Sequence, residues 1–346
     1  MASVIIKTAG LLTTVQDTGR YGYQRYGMPV SGAMDTFSCE LANLLVGNDP
    51  GDACLEATVT GPEMIFTGET TVAVTGADMG PQINGMSIPL NTAVGVKQGD
   101  RLGFTGLKSG CRSYIAFAGG INVPPVMGSR STYLRAGIGG YQGRALIEGD
   151  QLPLGEASTI PGKELPPGEA RSLIPGEEMP LGETREKARI RQLLSIPEGL
   201  IPGYRHEQTI RVIPGPEAHY FEIEGLRSFL STEYRVTAQS DRMGYRLSGE
   251  TIMHREGKAG IISAGISAGT VQVPGDGQPI VLMADRQTSG GYARIANVIS
   301  VDMTLLAQMK PGDTIRFRET TLDHARQLYI DRHRQITGAL CNQLMP

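Results

Sequence analysis

Apolar residues in this chain come in short runs, each cut off by Gly, Pro, Asp or Asn. The first half carries Ser3–Ile6, Met64–Phe66, Thr71–Val74, Ala93–Val96, Leu102–Phe104 and Tyr114–Phe117. The second half carries Thr209–Ile213, Tyr234–Ala238, Ile261–Gly265, Thr270–Val273 and Ile280–Ala284. Runs this short, closed by turn residues and rich in Val, Ile, Thr and Tyr, predict β-strands joined by tight turns. Between the first strand and the next helix, Thr13–Tyr23 reads as a polar, glycine-punctuated loop.

Helical spacing is rarer. Met34, Phe37, Leu41, Leu44 and Leu45 recur at three- and four-residue intervals, and Gly47-Asn48 supplies a stop, which predicts a helix with one apolar face. Leu305, Leu306 and Met309 predict a short helix ended by Pro311-Gly312, and Leu322–Leu340 an amphipathic terminal helix. Pattern therefore predicts a mainly β chain with a few short helices.

Two strand-rich stretches are separated by a change of composition. From about Gly155 to Glu186 the chain turns to Pro, Gly and Glu, with near-repeats such as Ile160–Pro166 and Ile174–Pro180, which cannot bury much apolar surface. The organisation expected is an N-terminal β domain over 1–154, a linker or insertion over 155–205, a second β domain over 206–320 and a helical tail over 321–346. Lys97–Phe104 parallels Lys310–Phe317, and Gly61-Pro62-Glu63 recurs as Gly215-Pro216-Glu217, which hints at an internal duplication.

With 346 residues the chain is long enough for two cores. A net charge of -3 and the lack of any Lys/Arg run leave no electrostatic footprint for nucleic acid or an anionic membrane. No apolar stretch approaches the roughly 18 residues that span a bilayer, and the first residues lack the pattern of a signal peptide, so a cytoplasmic protein with small polar substrates or protein partners is expected. Four scattered cysteines with no C-x-x-C pair, and five histidines with no close spacing, predict free, mostly buried thiols and no metal site. Gly137–Gly143 has the wrong spacing for a dinucleotide fingerprint, and no Walker A sequence occurs.

Three polar stretches carry candidate chemistry. Asp285-Arg286-Gln287-Thr288 leaves a buried strand into Gly290-Gly291, where glycine lets the backbone approach a ligand. A partly exposed Asp285–Arg286 ion pair capping the turn is the plain alternative. Gly128-Ser129-Arg130-Ser131-Thr132 sets hydroxyls and a guanidinium beside glycine, a composition suited to a carboxylate or phosphate or to an ordinary turn. Asp241-Arg242-Met243-Gly244-Tyr245-Arg246 could bind an anion or knit a structural salt-bridge network.

Taken in order, Thr13–Arg20, Ser31–Asp35, Ala42–Asn48, Gly119–Ile121, Gly128–Thr132, Asp241–Gly244 and Asp285–Tyr292 resemble the biotin-dependent carboxyltransferase-related family once labelled allophanate hydrolase subunit 2. Its members include the C subunits of bacterial 5-oxoprolinases and the KipI antagonist. Ser289 and Ala293 stand where the family pattern has Thr and Pro.

The resemblance implies two cyclophilin-like β-barrel domains in a protein that works beside two partners, a KipI-like B subunit of 5-oxoprolinase and its separate A subunit. It implies ATP-dependent opening of 5-oxoproline to L-glutamate, with ATP and Mg held by this chain or by the complex. Such a site needs cations for a carboxylate and for developing phosphoryl charge, and polar groups to orient water. Within the matched motifs, residue chemistry nominates Arg20, Arg130, Arg242 and Arg286 as anion binders. Asp285 and Asp241 are nominated as base or metal-phosphate partner, and Gln272, Gln287 and Thr288 as orienting groups, with Thr132, Gly290 and Gly291 beside the substrate. Two rival functions remain: carboxyl transfer from carboxybiotin, which requires biotin on a partner, and non-enzymatic binding of a homologue of the KipI-like B subunit.

Overall fold

Each apolar run of the first half becomes a strand, alternating in burial along runs such as Glu63–Phe66 and buried almost throughout in the central runs Thr70–Asp78 and Ser109–Phe117. In the computed structural model, which describes residues 2–157 and 191–344, these are β1 (Ser3–Thr8), β2 (Leu12–Gln16), β3 (Cys54–Thr58), β4 (Glu63–Phe66), β5 (Thr70–Asp78), β6 (Pro81–Ile83), β7 (Met86–Ser87), β8 (Thr92–Val96), β9 (Arg101–Phe104), β10 (Ser109–Phe117) and β11 (Gln151–Pro153). They form two six-stranded sheets, β11-β1-β4-β9-β6-β7 and one running β8-β5-β10-β3-β2 with β12 (Arg191–Ser195) on its edge. Val4, Ile6, Met64, Phe66 and Leu102 of the first sheet meet Leu55, Val72, Val94, Ile115 and Phe117 of the second in a single apolar cluster. Each such side chain, fully removed from water, contributes about 1.5–3 kcal/mol.

Two sequence expectations shift here. The loop expected over Thr13–Tyr23 begins as strand, because Leu12–Gln16 pairs in register with Cys54–Thr58 and buries four of its five side chains. Part of the stretch read as linker is also strand: β12 pairs with β8, and Leu194 and Ile196 are buried. The Pro/Gly/Glu near-repeats themselves fall in 158–190, outside the described residues.

The expected helix is α1 (Thr36–Leu45), started by Asp35, whose carboxylate accepts the Ser38 N–H at 3.1 Å and the Ser38 hydroxyl at 2.6 Å. It lays Cys39, Leu41, Ala42 and Leu45 on the outer face of the second sheet, against Ala73, Ala93 and Ala116.

The second half supplies β13 (Glu207–Pro214), β14 (Glu233–Val236), β15 (Gly244–Ser248), β16 (Gly260–Gly265), β17 (Thr270–Val273), β18 (Ile280–Leu282), β19 (Ser289–Val298) and β20 (Thr314–Glu319). Seven of them close a ring, β13-β20-β14-β15-β18-β17-β19, sealed where Val212 pairs with Val298, while β16 hangs from β19 outside it. Closure removes the free edges that an open sheet would expose. Ile210, Tyr234, Leu247, Val271, Val281, Ile295 and Phe317 fill the interior. Helices α2 (Ile223–Ser231), α3 (Met303–Ala307) and α4 (Leu322–Leu344) complete the chain. Ile336 and Leu340 of α4 return to the cluster over the outer face of the second sheet.

One internal repeat of the sequence is a repeat of structure. The Lys97 N–H bonds the Asp100 carboxylate at 2.8 Å, and the Lys310 N–H bonds the Asp313 carboxylate at 3.0 Å. Gly99 N–H reaches Phe66 at the end of β4, as Gly312 N–H reaches Val236 at the end of β14. The Gly-Pro-Glu match does not extend this equivalence: Glu63 opens β4, whereas Glu217 precedes a 3-10 turn and α2.

The halves meet through buried polar contacts. Arg112 of β10 donates to the Tyr245 hydroxyl at 2.7 Å and to the Ala307 carbonyl at 2.6 Å. Gln308 accepts the Cys111 and Arg112 N–H groups at 2.9 Å and donates to Asp35 at 2.9 Å. Met34, from the first half, packs into the barrel core of the second. Among the described residues, no helix is long and apolar enough to cross a membrane.

Candidate functional site

The β2 strand runs into Asp17, whose carboxylate would be costly to bury without donors. It finds four: the Gly19 N–H at 2.7 Å, the Ser129 hydroxyl at 2.7 Å, the Arg130 N–H at 2.5 Å and the Ser131 hydroxyl. The hydroxyl-rich loop that sequence composition suited to an anion thus holds a carboxylate of this same chain. Gly19 and Gly32 make the crossing possible, since a Cβ on Gly32 would lie 2.9 Å from the Gly19 nitrogen.

That fold carries Arg20 inward. It is 1% exposed, donates from Nη2 to the Ser131 carbonyl at 2.5 Å, and leaves Nε and Nη1 without a partner. Burial draws its pKa down, against the pull of Asp17 and Asp285. Orphaned charged donors in so closed a position cost free energy unless something accepts them.

From the second half, β18 ends at Leu282 and the chain turns through Met283–Arg286, so Asp285 and Arg286 sit on the turn that follows the strand. Asp285 is buried and its partner is Arg242, not Arg286: Arg242 Nε meets Oδ2 at 3.0 Å and Nη2 meets Oδ1 at 3.2 Å. This replaces the plain alternative of an exposed Asp285–Arg286 pair. Arg286 instead gives Nη1 to the Met283 carbonyl at 3.2 Å and keeps Nε unpartnered. Burial lowers its pKa, opposed by Tyr21 and Asp285.

Arg242 spans the two halves. Besides Asp285, it donates to the Gly32 carbonyl at 2.5 Å and to Glu56 on β3. Burial alone would pull its pKa down, but Glu56 and Asp285 outweigh that and raise it. Glu56 also accepts the Met34 N–H at 2.8 Å and the Tyr114 hydroxyl at 2.7 Å. Burial first, then Glu56, drives the Tyr114 pKa well up.

The other nominated residues divide. Asp241 is exposed and closes its own turn, accepting the Met243 and Gly244 N–H groups at 2.8 and 3.2 Å. Arg130 turns its side chain to the Val123 carbonyl at 2.8 Å, so only its backbone joins the Asp17 cluster. Thr132 ties its hydroxyl to the Val15 carbonyl at 2.9 Å. Gln272 is buried, donates to the Tyr292 carbonyl at 3.3 Å, and packs its amide on Gly290, where a Cβ would stand 2.5 Å from Nε2 and oblige that amide to shift. Gly291 is roomier and Gln287 is exposed. Thr288 lines a cleft of about 510 Å³ with Gln24, Ser267, Arg294 and Asn297.

The structure therefore brings together Arg20, Arg242, Asp285 and Arg286, and adds Asp17 and Glu56, which were not nominated from sequence. A charge inside the apolar run Cys54-Leu55-Glu56-Ala57 was the signal for Glu56. Among the described residues no three His, Cys, Asp or Glu side chains gather as a metal site would require. What the cluster offers is unpaired guanidinium donors beside a fixed carboxylate, an arrangement that can take an anion and hold it in one orientation.

The carboxyltransferase domain, subdomain A and B, matches residues 26–319. The chain is 39% identical over 326 residues to the C subunit of the 5-oxoprolinase of Escherichia coli (strain K12), covering 94% of each. It is 34% identical to the urea amidolyase of Saccharomyces cerevisiae, covering 94% of this chain and 17% of that one. The crystal structure of the Kluyveromyces lactis urea carboxylase superposes with a TM-score of 0.84 at 30% identity, over 99% of this chain and 30% of that one. By sequence and fold, the chain belongs to the carboxyltransferase domain family, subdomains A and B, and is a homologue of the C subunit of 5-oxoprolinases.

Proposed function

We propose that this chain is the C subunit of an ATP-dependent 5-oxoprolinase, which opens 5-oxoproline to L-glutamate together with a KipI-like B subunit, and with an A subunit. The observation that carries the reading is extent: similarity to a 5-oxoprolinase C subunit runs over 94% of both chains, whereas the urea amidolyase match takes in 17% of that enzyme.

The site chemistry agrees with the reading. A lactam is a poor electrophile, and phosphorylating its oxygen from ATP makes that oxygen a leaving group for hydrolysis. Arg20 and Arg286, with unpartnered N–H donors, suit the substrate carboxylate or a phosphoryl oxygen. In this reading Asp285, held by Arg242, takes a proton or orients water. In this reading Thr288 and Gln272 are orienting groups, and ATP with Mg is shared with the partner subunits.

A second reading is carboxyl transfer from biotin carried by a partner, favoured by the fold match to urea carboxylase. Release of glutamate and ADP from 5-oxoproline plus ATP, measured with all three proteins and with each omitted, tests the first. Turnover that needs this chain supports it. An assembled, folded complex with no turnover overturns it and moves the assignment to carboxyl transfer or to regulatory binding of the KipI-like partner.

A further inference from the structure

Glu56 lies on β3 in the first half, 2% exposed, yet its carboxylate serves a residue of the second half. One oxygen accepts from Arg242 and stands 4.0 Å from Arg112 Nε, while the other takes the Met34 N–H and the Tyr114 hydroxyl. For stability alone this is a poor use of a buried position, since apolar replacement of a buried ion pair is often neutral or stabilising. What an apolar side chain cannot supply is direction. Arg242 ends a long, rotatable chain, and its guanidinium plane is fixed because Asp285 holds the Nε/Nη2 edge while Glu56 holds Nη1 and the Gly32 carbonyl takes a second bond from Nη2.

We propose that Glu56 is a positioning residue: by gripping Arg242 from the opposite half, it sets the orientation of the Asp285 carboxylate. The inference rests on the reading of Asp285 as a group that acts on substrate. It makes the seating of the two halves a condition for a correctly aimed Asp285, because Arg242 is held from both halves at once.

The test compares two substitutions that both disturb Glu56. Glu56→Gln keeps an oxygen for Met34 and Tyr114 but turns an N–H2 group toward Arg242, whereas Tyr114→Phe removes one hydrogen bond to Glu56 and the acceptor of the Asp35 N–H, and keeps the Glu56 charge facing Arg242. In the isolated chain, nitrogen-15 NMR of arginine side chains is expected to show the Arg242 Nε–H signal shifted or broadened by Glu56→Gln and unmoved by Tyr114→Phe. In the assembled complex, Glu56→Gln is expected to lower kcat about 10- to 100-fold with KM within about twofold, the scale of a misplaced catalytic group. Tyr114→Phe should stay within about twofold of the parent. Should Glu56→Gln fail to fold, Glu56→Asp keeps the charge but withdraws it from Arg242, and the same two readouts apply. An unmoved Arg242 signal in the folded Glu56 variant overturns the proposal, as does a kcat loss in Tyr114→Phe matching that of Glu56→Gln. If Asp285→Asn itself leaves turnover intact, it is the functional reading that falls, and the NMR comparison still decides whether Glu56 orients Arg242.

Discussion

Arg242 and Asp285 meet edge to edge, with Nε and Nη2 of the guanidinium facing the two carboxylate oxygens at 3.0 and 3.2 Å. The same Arg242 donates to Glu56 and to the Gly32 carbonyl, so one side chain joins the barrel to the first half. Its charge balances two acids, both shut away from water.

Removing that charge while keeping the volume, as in Arg242→Met, leaves Glu56 and Asp285 without their shared partner. Breaking one side of a buried ionic network costs about 3–5 kcal/mol, far more than a surface pair is worth. Urea unfolding of the chain should show a loss of that size. A loss under about 1 kcal/mol would mean that water or Arg112 takes over the charge, and that the network is not closed in solution.

Arg286 behaves differently because it makes little structure. Its one hydrogen bond is 3.2 Å long and Nε has no partner, so Arg286→Ala should change unfolding free energy by no more than about 1 kcal/mol. In the assembled complex, turnover should fall about 100-fold or more, as when a charge-stabilising donor is deleted. Full turnover from the folded variant would remove Arg286 from the site.

The ion pair beside the cleft gives a pH prediction with a definite sign. Arg294 donates to Glu217 from Nε at 2.6 Å and Nη2 at 2.7 Å, and these bonds hold the Glu217 pKa below its ordinary 4.5. A carboxylate depressed on folding contributes stability that is present above its unfolded pKa and lost as pH falls through its folded one. Glu217→Gln should therefore unfold more easily than the parent at pH 7, and the gap should close as the pH drops below about 4. Parallel unfolding curves across that range would show that the pair does not titrate with folding.

Arg20 is held in place by backbone as much as by charge. Gly139 has φ +69° and a Cβ there would sit 2.0 Å from the Ser131 carbonyl oxygen, the acceptor of the Arg20 hydrogen bond. Backbone cannot step aside cheaply, so Gly139→Ala should cost at least about 2 kcal/mol from the left-handed conformation and the clash together. Thermal unfolding measures it, and a shift no larger than that of an exposed-loop substitution would mean that the turn relaxes around the added methyl group.

How much of this was legible beforehand follows from what each signal depends on. Strands such as β4 and β17 announced themselves because alternation or a closed apolar run is local. β2 did not, since Thr13, Thr14 and Gln16 are polar, and they are buried only because hydroxyl and amide find partners at Ala9, Thr14 and Thr132 supplied by the fold. The chemistry split the same way. Asp285 and Arg242 could be nominated from glycine-flanked polar stretches, but their pairing joins positions 43 residues apart and is invisible to spacing. Asp241 and Arg130 matched the same residue types, yet local geometry spends the first on its own turn and turns the second toward Val123.

The duplicated turn supplies a control with an internal standard. Gly99 and Gly312 occupy equivalent places in the two halves, at φ +88° and +97°, and a Cβ at either would meet nothing within 4 Å. Only the intrinsic cost of the left-handed conformation then separates glycine from alanine, about 1–2 kcal/mol. Gly99→Ala and Gly312→Ala should accordingly destabilise by that amount and by the same amount as each other, with the double variant additive because the two turns share no partner. Denaturant unfolding of the three variants checks all of this at once. Unequal losses would show that the shared Lys-x-Gly-Asp pattern hides different backbones, and that the resemblance between the two halves stops at the sequence.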